Sequence, residues 1–99
     1  MENDPIGTAA VNWTDANGNF HIRVYSTDGY TVTERCIDTG GPGWYTGSFS
    51  QPGSAMSATA WTDSAGGHIR VYCTSDDGTT EWCSDPGGSG WTKGSYTVG

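Results

Sequence analysis

The chain contains no leucine, only four basic residues and three cysteines, and each scarcity narrows the class of protein. Strong helix formers are few, whereas Thr, Val, Trp and Tyr are common beside 16 glycines, which favours an all-β fold. Binding phosphate groups requires clustered Lys and Arg, so the net charge of −7 argues against nucleic acid or an anionic membrane as partner. No apolar run approaches the roughly 18 residues of a membrane span, and we expect no membrane insertion.

The start of the chain carries no recognisable targeting segment. Residues 1–4 lack the basic start and apolar stretch of a signal peptide. We therefore expect a soluble chain of unknown localisation, for which export by a route without a signal peptide is one alternative.

The three cysteines make a poor disulfide framework. Cys36 and Cys83 occupy equivalent places in an internal repeat, and Cys73 stands where the first copy has Ser26. We predict buried free thiols that act as small apolar fillers, with no metal site and no cofactor.

The strongest positive feature is that internal repeat. Residues 21–25 (His-Ile-Arg-Val-Tyr) return as residues 68–72, an offset of 47. The same offset relates Glu34 to Glu81, Cys36 to Cys83, Asp38 to Asp85, Trp44 to Trp91 and Gly47 to Gly94, while residues 13–15 match 61–63 at 48. Repeats of about 40 to 50 residues with glycine and aromatic marks are typical of propeller blades.

Each repeat divides into four short strands joined by glycine-rich turns, which is the content of one propeller blade. We predict an N-terminal tail over 1–7, blade repeat 1 over 8–52 and blade repeat 2 over 53–99. Two blades cannot close a ring, and an open pair would expose apolar faces and strand edges. We therefore predict a β-propeller of two four-stranded blades per chain, completed to six blades by trimerisation.

Strand pairing indicates where the chemistry lies. A hairpin symmetric about Asp28 and Gly29 would place Arg23 opposite Glu34, and equal spacing would place Arg70 opposite Glu81. Such donor and acceptor pairs suit sugar hydroxyls, which both donate and accept hydrogen bonds. The alternative is a cross-strand pair that only stabilises the sheet.

The aromatic residues divide into two groups. Trp13 and Trp61 are expected in the core or between blades, whereas Trp44 and Trp91 follow glycine-rich turns and suit a rim equally well. The two histidines are expected to be ordinary strand residues. These residues alone indicate a repeated β-module with candidate carbohydrate sites.

Three motifs, each present twice, resemble the Aleuria-type fucose-binding lectins. They are residues 22–25, 33–36 and 43–49 in the first copy, and residues 69–72, 80–83 and 90–96 in the second. The size is similar to that of the short bacterial members, which hold two blades per chain and trimerise. The resemblance implies a multivalent lectin that recognises L-fucose and fucosylated oligosaccharides between blades, without catalysis.

The resemblance also implies which residues bind the sugar. One site within the chain would use Arg23, Glu34 and Ser48 with Trp91, and one between chains would use Arg70, Glu81 and Ser95 with Trp44 of a neighbouring protomer. In the family Arg and Glu hydrogen-bond the sugar, an indole N–H adds a donor, and the residue after the motif glycine contributes its backbone.

One departure from the family concerns the residue after each motif cysteine, which is usually aromatic and packs on the fucose methyl group. Here Ile37 and Ser84 occupy these positions. Losing an apolar contact would cost about 1–2 kcal/mol of binding free energy. The site within the chain, which lies next to Ser84, is therefore expected to be the weaker of the two. Alternatively, the longer turns that carry Pro42 and Pro86 supply a substitute contact or change which fucosides are preferred.

Two other classes remain as alternatives. Glycosidases place two carboxylates about 5–10 Å apart across the bond, whereas each candidate site has one carboxylate, predicted to pair with Arg. A glycosidase-like propeller is therefore disfavoured. A structural or protein-binding propeller without sugar specificity is the second alternative. Preferred fucose linkage and biological target stay open.

Overall fold

The computed structural model describes residues 4–98, which form two four-stranded antiparallel sheets. Sheet 1 contains β1 (Gly7–Thr14), β2 (Phe20–Thr27), β3 (Thr31–Asp38) and β4 (Tyr45–Pro52). Sheet 2 contains β5 (Ala55–Asp63), β6 (Gly66–Ser75), β7 (Gly78–Ser84) and β8 (Thr92–Val98). Strands follow chain order in each sheet, and β1 lies against β5.

This confirms the all-β prediction with four strands per repeat, an arrangement consistent with a pair of propeller blades. The predicted boundaries 1–7, 8–52 and 53–99 stay predictions; β1 begins at Gly7, and residues 1–3 and 99 lie outside the described residues. Residues 4–98 contain no helix long and apolar enough to cross a bilayer.

The predicted register of the central hairpins is wrong by two residues. Arg23 lies opposite Cys36, and Glu34 lies opposite Tyr25. The reason is the turn: the Asp28 side chain accepts hydrogen bonds from the backbone N–H groups of Tyr30 and Thr31, at 2.9 and 3.0 Å, and closes a wider loop than a two-residue turn.

Sheet 2 shows the same pairing, with Arg70 opposite Cys83 and Tyr72 opposite Glu81. Its turn is the two residues between Ser75 and Gly78. Because side chains alternate with period two, a shift of two residues keeps Arg and Glu on the same face of the sheet. They are therefore diagonal neighbours in both sheets.

Each sheet has two different faces. The tyrosine face carries Arg23, Tyr25, Glu34, Cys36 and Phe49 in sheet 1, and Arg70, Tyr72, Glu81, Cys83 and Tyr96 in sheet 2. The valine face carries Ile22, Val24 and Trp44 in sheet 1, and Ile69, Val71 and Trp91 in sheet 2. The tyrosine face of sheet 1 packs on the valine face of sheet 2, and this contact forms the core.

The two remaining faces are uncovered in the single chain. On the valine face of sheet 1 Trp44 is 50% exposed, and on the tyrosine face of sheet 2 Tyr96 is 47% exposed. The core prediction holds for Trp13, which packs against the buried cluster. Trp61 is 43% exposed in the single chain, so its predicted place between blades stays a prediction.

All three cysteines are free and buried, as predicted. Burial raises the pKa of Cys36 and that of Cys73 to about 11, so both thiols stay protonated near neutral pH. They fill space in the sheets and hold no disulfide.

Candidate functional site

A cavity of about 540 Å³ opens between the two sheets at the polar end of their contact. All five residues assigned by resemblance to the intrachain site line it: Arg23, Glu34, Ser48, Ser84 and Trp91. The cavity is also lined by Trp13, Tyr45, Gly66, Gly67, Asp85 and Pro86. Arg23, Glu34 and Ser48 come from sheet 1, whereas Ser84 and Trp91 come from the second repeat, so the cavity depends on both.

The Glu34 carboxylate is held by a bulge in sheet 1. The pairing of β3 with β4 shifts at this position, and Glu34 Oε1 accepts a hydrogen bond of 3.4 Å from the Phe49 N–H. A Cβ at Gly47 would overlap the carboxylate, so only glycine leaves it room. Glu34 is 4% exposed, and the Tyr25 hydroxyl donates to its Oε2 at 2.8 Å. The carboxylate is therefore an oriented acceptor at the cavity wall.

Tyr25 can only act as the donor in this pair. Burial, and the negative charge of Glu34, raise its pKa far above the ordinary value of a phenol. The hydroxyl thus keeps its proton at any physiological pH and fixes one oxygen of the carboxylate, while the other oxygen lies nearer β4.

Arg23 reaches the cavity between an indole ring and a carboxylate. Its Cζ lies 5.2 Å from the centre of the Trp13 ring, a cation–π geometry. Its Nη1 donates to Asp38 Oδ1 at 2.9 Å and to the Ile22 carbonyl at 3.1 Å. The predicted direct pairing of Arg23 with Glu34 is replaced by this Asp38 contact among the described residues.

Asp38 is the anchor of this polar end. It accepts hydrogen bonds from Arg23, from the Tyr45 hydroxyl and from His21 Nδ1, the last at 2.6 Å. Burial alone would raise the pKa of Asp38, but these donors lower it to about 2. The carboxyl group is therefore ionised throughout the neutral range.

The second repeat supplies an apolar wall. Trp91 packs edge-on against Phe49, with ring centroids 4.7 Å apart, and presents its ring to the cavity. Ser84 offers little apolar surface, but Pro86 lines the same wall and lies close to Gly66. A Cβ at Gly67 would overlap the Trp13 indole, so the glycine lets the sheets approach at the cavity floor.

The second predicted set has the same polar arrangement on an open surface. Arg70 lies 4.9 Å from the Trp61 ring centre and donates to Asp85 Oδ1 at 2.9 Å. Tyr72 donates to Glu81 Oε2 at 2.8 Å, and this bond lowers the pKa of Glu81.

The remaining members of the second set do not join it within one chain. Ser95 follows Gly94, whose missing Cβ makes room for the Glu81 carboxylate as Gly47 does for Glu34. Trp44 lies on the valine face of sheet 1, beside Val24. Ile37 pairs with Ile22 in sheet 1 and lines neither the intersheet cavity nor the surface around Glu81. The described residues therefore bring one of the two predicted sets together and leave the members of the other apart.

Sequence reasoning missed the His–Asp contacts. His21 and His68 were expected to be ordinary strand residues, but each lies between two carboxylates. The signal was present, since Asp15 with Asp63 and Asp38 with Asp85 belong to the repeated motifs. Among residues 4–98, no group of three or more His, Cys, Asp and Glu has the arrangement of a metal site.

Comparison with known proteins identifies the family of the chain. The model of the family described as "Fungal fucose-specific lectin" matches residues 4–98. A solved structure of a fucose lectin from Kordia zhangzhouensis in complex with methyl-fucoside is 41% identical, with a TM-score of 0.75. The match covers 93% of this chain and 66% of that chain, so this chain spans just under two thirds of that lectin. The curated proteins gave no significant match.

The chain therefore belongs to the fucose-specific lectin family. Membership confirms the family predicted from the motifs.

Proposed function

We propose that the intersheet cavity binds L-fucose through Arg23, Glu34 and Ser48 with Trp91. The observation that carries this is the convergence of a donor, an acceptor and an aromatic ring on one cavity. Arg23 offers N–H donors and Glu34 offers carboxylate oxygens, the two partners that a sugar hydroxyl needs. The methyl group of a 6-deoxy sugar suits the apolar wall beside them.

We propose a second site of the same kind between chains, in which Arg70, Glu81 and Ser95 meet Trp44 and Ile37 of a neighbouring protomer. The support is complementarity: the uncovered tyrosine face of sheet 2 matches the uncovered valine face of sheet 1. Their counterparts, the tyrosine face of sheet 1 and the valine face of sheet 2, already pack on each other within the chain. Such a head-to-tail contact either closes a ring or grows without limit.

Three copies would close a six-bladed ring with six sites, which makes the lectin multivalent. Several weak sites on one particle raise the apparent affinity for a glycan surface without new contacts. The expected particle mass is about 31 kDa, three times the 10.4 kDa of one chain. Light scattering on the eluting protein measures this directly, and a particle of one or two chains would contradict the trimer.

The sequence leaves two alternatives for the missing aromatic contact: a weaker site beside Ser84, or a substitute contact from the turn that carries Pro86. The position of Pro86 supports the second alternative. Ser84 leaves that part of the wall without an apolar side chain, but the Pro86 ring lines the same cavity. We propose that Pro86 supplies a substitute contact in the intrachain site, and that Pro42 and Ile37 do so between chains.

The deciding experiment is a calorimetric titration with methyl α-L-fucoside, read for both affinity and stoichiometry. We expect two sugars bound per chain. Arg23→Ala and Arg70→Ala form a matched pair, since each should remove one of the two and leave one site per chain.

The outcomes separate clearly. One site per chain in the unmodified protein would mean that one of the two proposed sites does not function. Full stoichiometry in both arginine variants would contradict the assignment of the arginines. No heat at millimolar sugar would overturn fucose binding and turn attention to a protein-binding propeller.

A further inference from the structure

His21 lies between two carboxylates, and this geometry sets its protonation state. Its Nδ1 is 2.6 Å from Asp38 Oδ1, and its Nε2 is 3.0 Å from Asp15 Oδ2. A neutral imidazole has one N–H donor and one acceptor, whereas an imidazolium has two donors. Because both nitrogens face carboxylate oxygens, the ring satisfies both contacts only when it is protonated.

Asp38 connects this ring to the cavity. One oxygen, Oδ1, accepts from both His21 Nδ1 and Arg23 Nη1, at 2.6 and 2.9 Å. Trp13 stacks with both partners: its ring centroid is 4.9 Å from that of His21, at an interplanar angle of 17°, and Arg23 Cζ lies 5.2 Å away. Arg23 cannot turn from the cavity without losing contacts to two groups that His21 also holds.

The second repeat contains the same arrangement of histidine, two aspartates, arginine and tryptophan. His68 Nδ1 is 2.6 Å from Asp85 Oδ1, and Nε2 is 2.8 Å from Asp63 Oδ2. Asp85 Oδ1 also accepts from Arg70 Nη1 at 2.9 Å, and His68 stacks on Trp61 at 5.0 Å and 7°. Two occurrences in differently covered sheets show that the arrangement does not depend on its surroundings.

We propose that His21 and His68 are positioning residues that hold Arg23 and Arg70 toward the sugar, through Asp38 and Asp85, and thereby make fucose affinity depend on histidine protonation. This rests on the proposed function, in which both arginines hydrogen-bond the sugar. Neither histidine needs to touch the sugar for this effect.

The direction of the pH dependence follows from the groups around His21. Burial alone would lower its pKa, but the hydrogen bonds to Asp15 and Asp38 raise it above the ordinary value. The other charged or titratable neighbours are Arg23 on the same strand and Tyr45 of β4, whose hydroxyl donates to Asp38. As pH rises through the raised pKa, the ring loses a donor and one contact becomes acceptor against acceptor, which loosens Arg23.

The second histidine responds in the same direction. The hydrogen bond to Asp85, followed by that to Asp63, raises the pKa of His68. Arg70 is its charged neighbour. In this copy Thr92 occupies the strand position that Tyr45 has in the first copy. We therefore expect affinity at both sites to be high in mild acid and lower in mild base.

The test uses the intact protein and methyl α-L-fucoside. Calorimetric titrations between about pH 5 and pH 9 should show affinity falling roughly fivefold across the histidine transition. Linkage requires a reciprocal effect: saturating sugar must lower the acid dissociation constants of the histidines by the same factor, and so raise their pKa values by its logarithm, as measured from the ring protons by NMR. The chain has two histidines, so His21→Gln assigns both signals.

Variants separate positioning from mere structural support. His21→Gln should remove the pH dependence of the intrachain site and leave the His68 pKa still responsive to sugar. Asp15→Asn removes one carboxylate from His21 without touching Arg23, so the transition of that site should move to lower pH.

Each result decides between the two proposals. A pH-independent affinity with histidine pKa values unchanged by sugar overturns the positioning role and leaves fucose binding intact. No binding at any pH overturns the proposed function itself. If His21→Gln fails to fold, the reciprocal shift in the unmodified protein still decides.

Discussion

Tyr25 and Tyr72 stand at equivalent places in the two repeats and donate the same 2.8 Å hydrogen bond to equivalent glutamates. Tyr25 is fully buried, whereas Tyr72 is only half-buried. The polar groups of a site are therefore built by one sheet alone, while the cavity is created by the neighbouring sheet that covers it. A single repeat specifies recognition chemistry but not an enclosed place to use it.

The largest expected effect is on the free energy of unfolding, at two equivalent aromatic residues: Phe49, which is covered by sheet 2, and Tyr96, which is uncovered. Phe49 is 2% exposed and contacts Tyr25 and Trp91, so Phe49→Ala should lower the free energy of unfolding by about 3–5 kcal/mol. Tyr96 is its counterpart on the open face. Chemical denaturation of Tyr96→Ala should show a loss that depends on protein concentration, because the proposed role of Tyr96 is in association.

A concentration-independent loss in both variants would break this comparison. It would mean that the tyrosine face of sheet 2 contributes within the single chain and is not covered by a neighbour. A negligible loss for Phe49→Ala would contradict the intersheet core itself.

An intermediate effect is expected at the two glycines beside the carboxylates. Gly47→Ala would force a Cβ into the Glu34 carboxylate, and Gly94→Ala would do the same to Glu81. Overpacking of this kind costs about 1–3 kcal/mol, and we expect Gly47→Ala to reach the upper part of that range because Glu34 is buried. Thermal unfolding measures the stability, and fucoside titration should show one site lost in each variant.

Equal stability losses in the two glycine variants would support assembly of several chains in solution. They would mean that Glu81 is as confined in solution as Glu34. Full sugar stoichiometry in either variant would contradict the role of the carboxylate orientation.

The smallest expected effect concerns the prolines after the motif cysteines. Pro86 lines the intersheet cavity, so Pro86→Ala should weaken the intrachain site by about 0.5–1 kcal/mol, or roughly two- to fivefold. Pro42→Ala is the matched variant for the other site. Unchanged affinity in Pro86→Ala would mean that Pro86 supplies no substitute contact. The intrachain site would then be expected to be the weaker of the two, as the serine at position 84 predicts.

The repeat made much of the fold predictable, because each strand carries its own pattern and appears twice. The hairpin register was not predictable from Asp28 and Gly29, since the Asp28 side chain widens the turn through two backbone hydrogen bonds. The two-residue error in register did not change which residues share a face, because side chains alternate along a strand. Arg23 and Glu34 therefore still lie on the same face of sheet 1.

The repeat marks the aspartates as equivalent positions, but it does not show which side chains they contact. Asp15 and Asp38 lie at the ends of different strands, and only the pairing of β2 with its two neighbours brings both to His21. The shape of the cavity also escaped prediction, since the closeness of Gly67 to Trp13 depends on how the two sheets pack.

The buried thiols have a consequence for the compartments in which the folded lectin stays stable. Cys36, Cys73 and Cys83 are free, and burial raises the pKa of each. Protonated, inaccessible thiols neither need an oxidant nor react readily with one. Once formed, the two sheets should therefore be equally stable in a reducing and in an oxidising compartment, which makes the folded chain indifferent to the redox state around it.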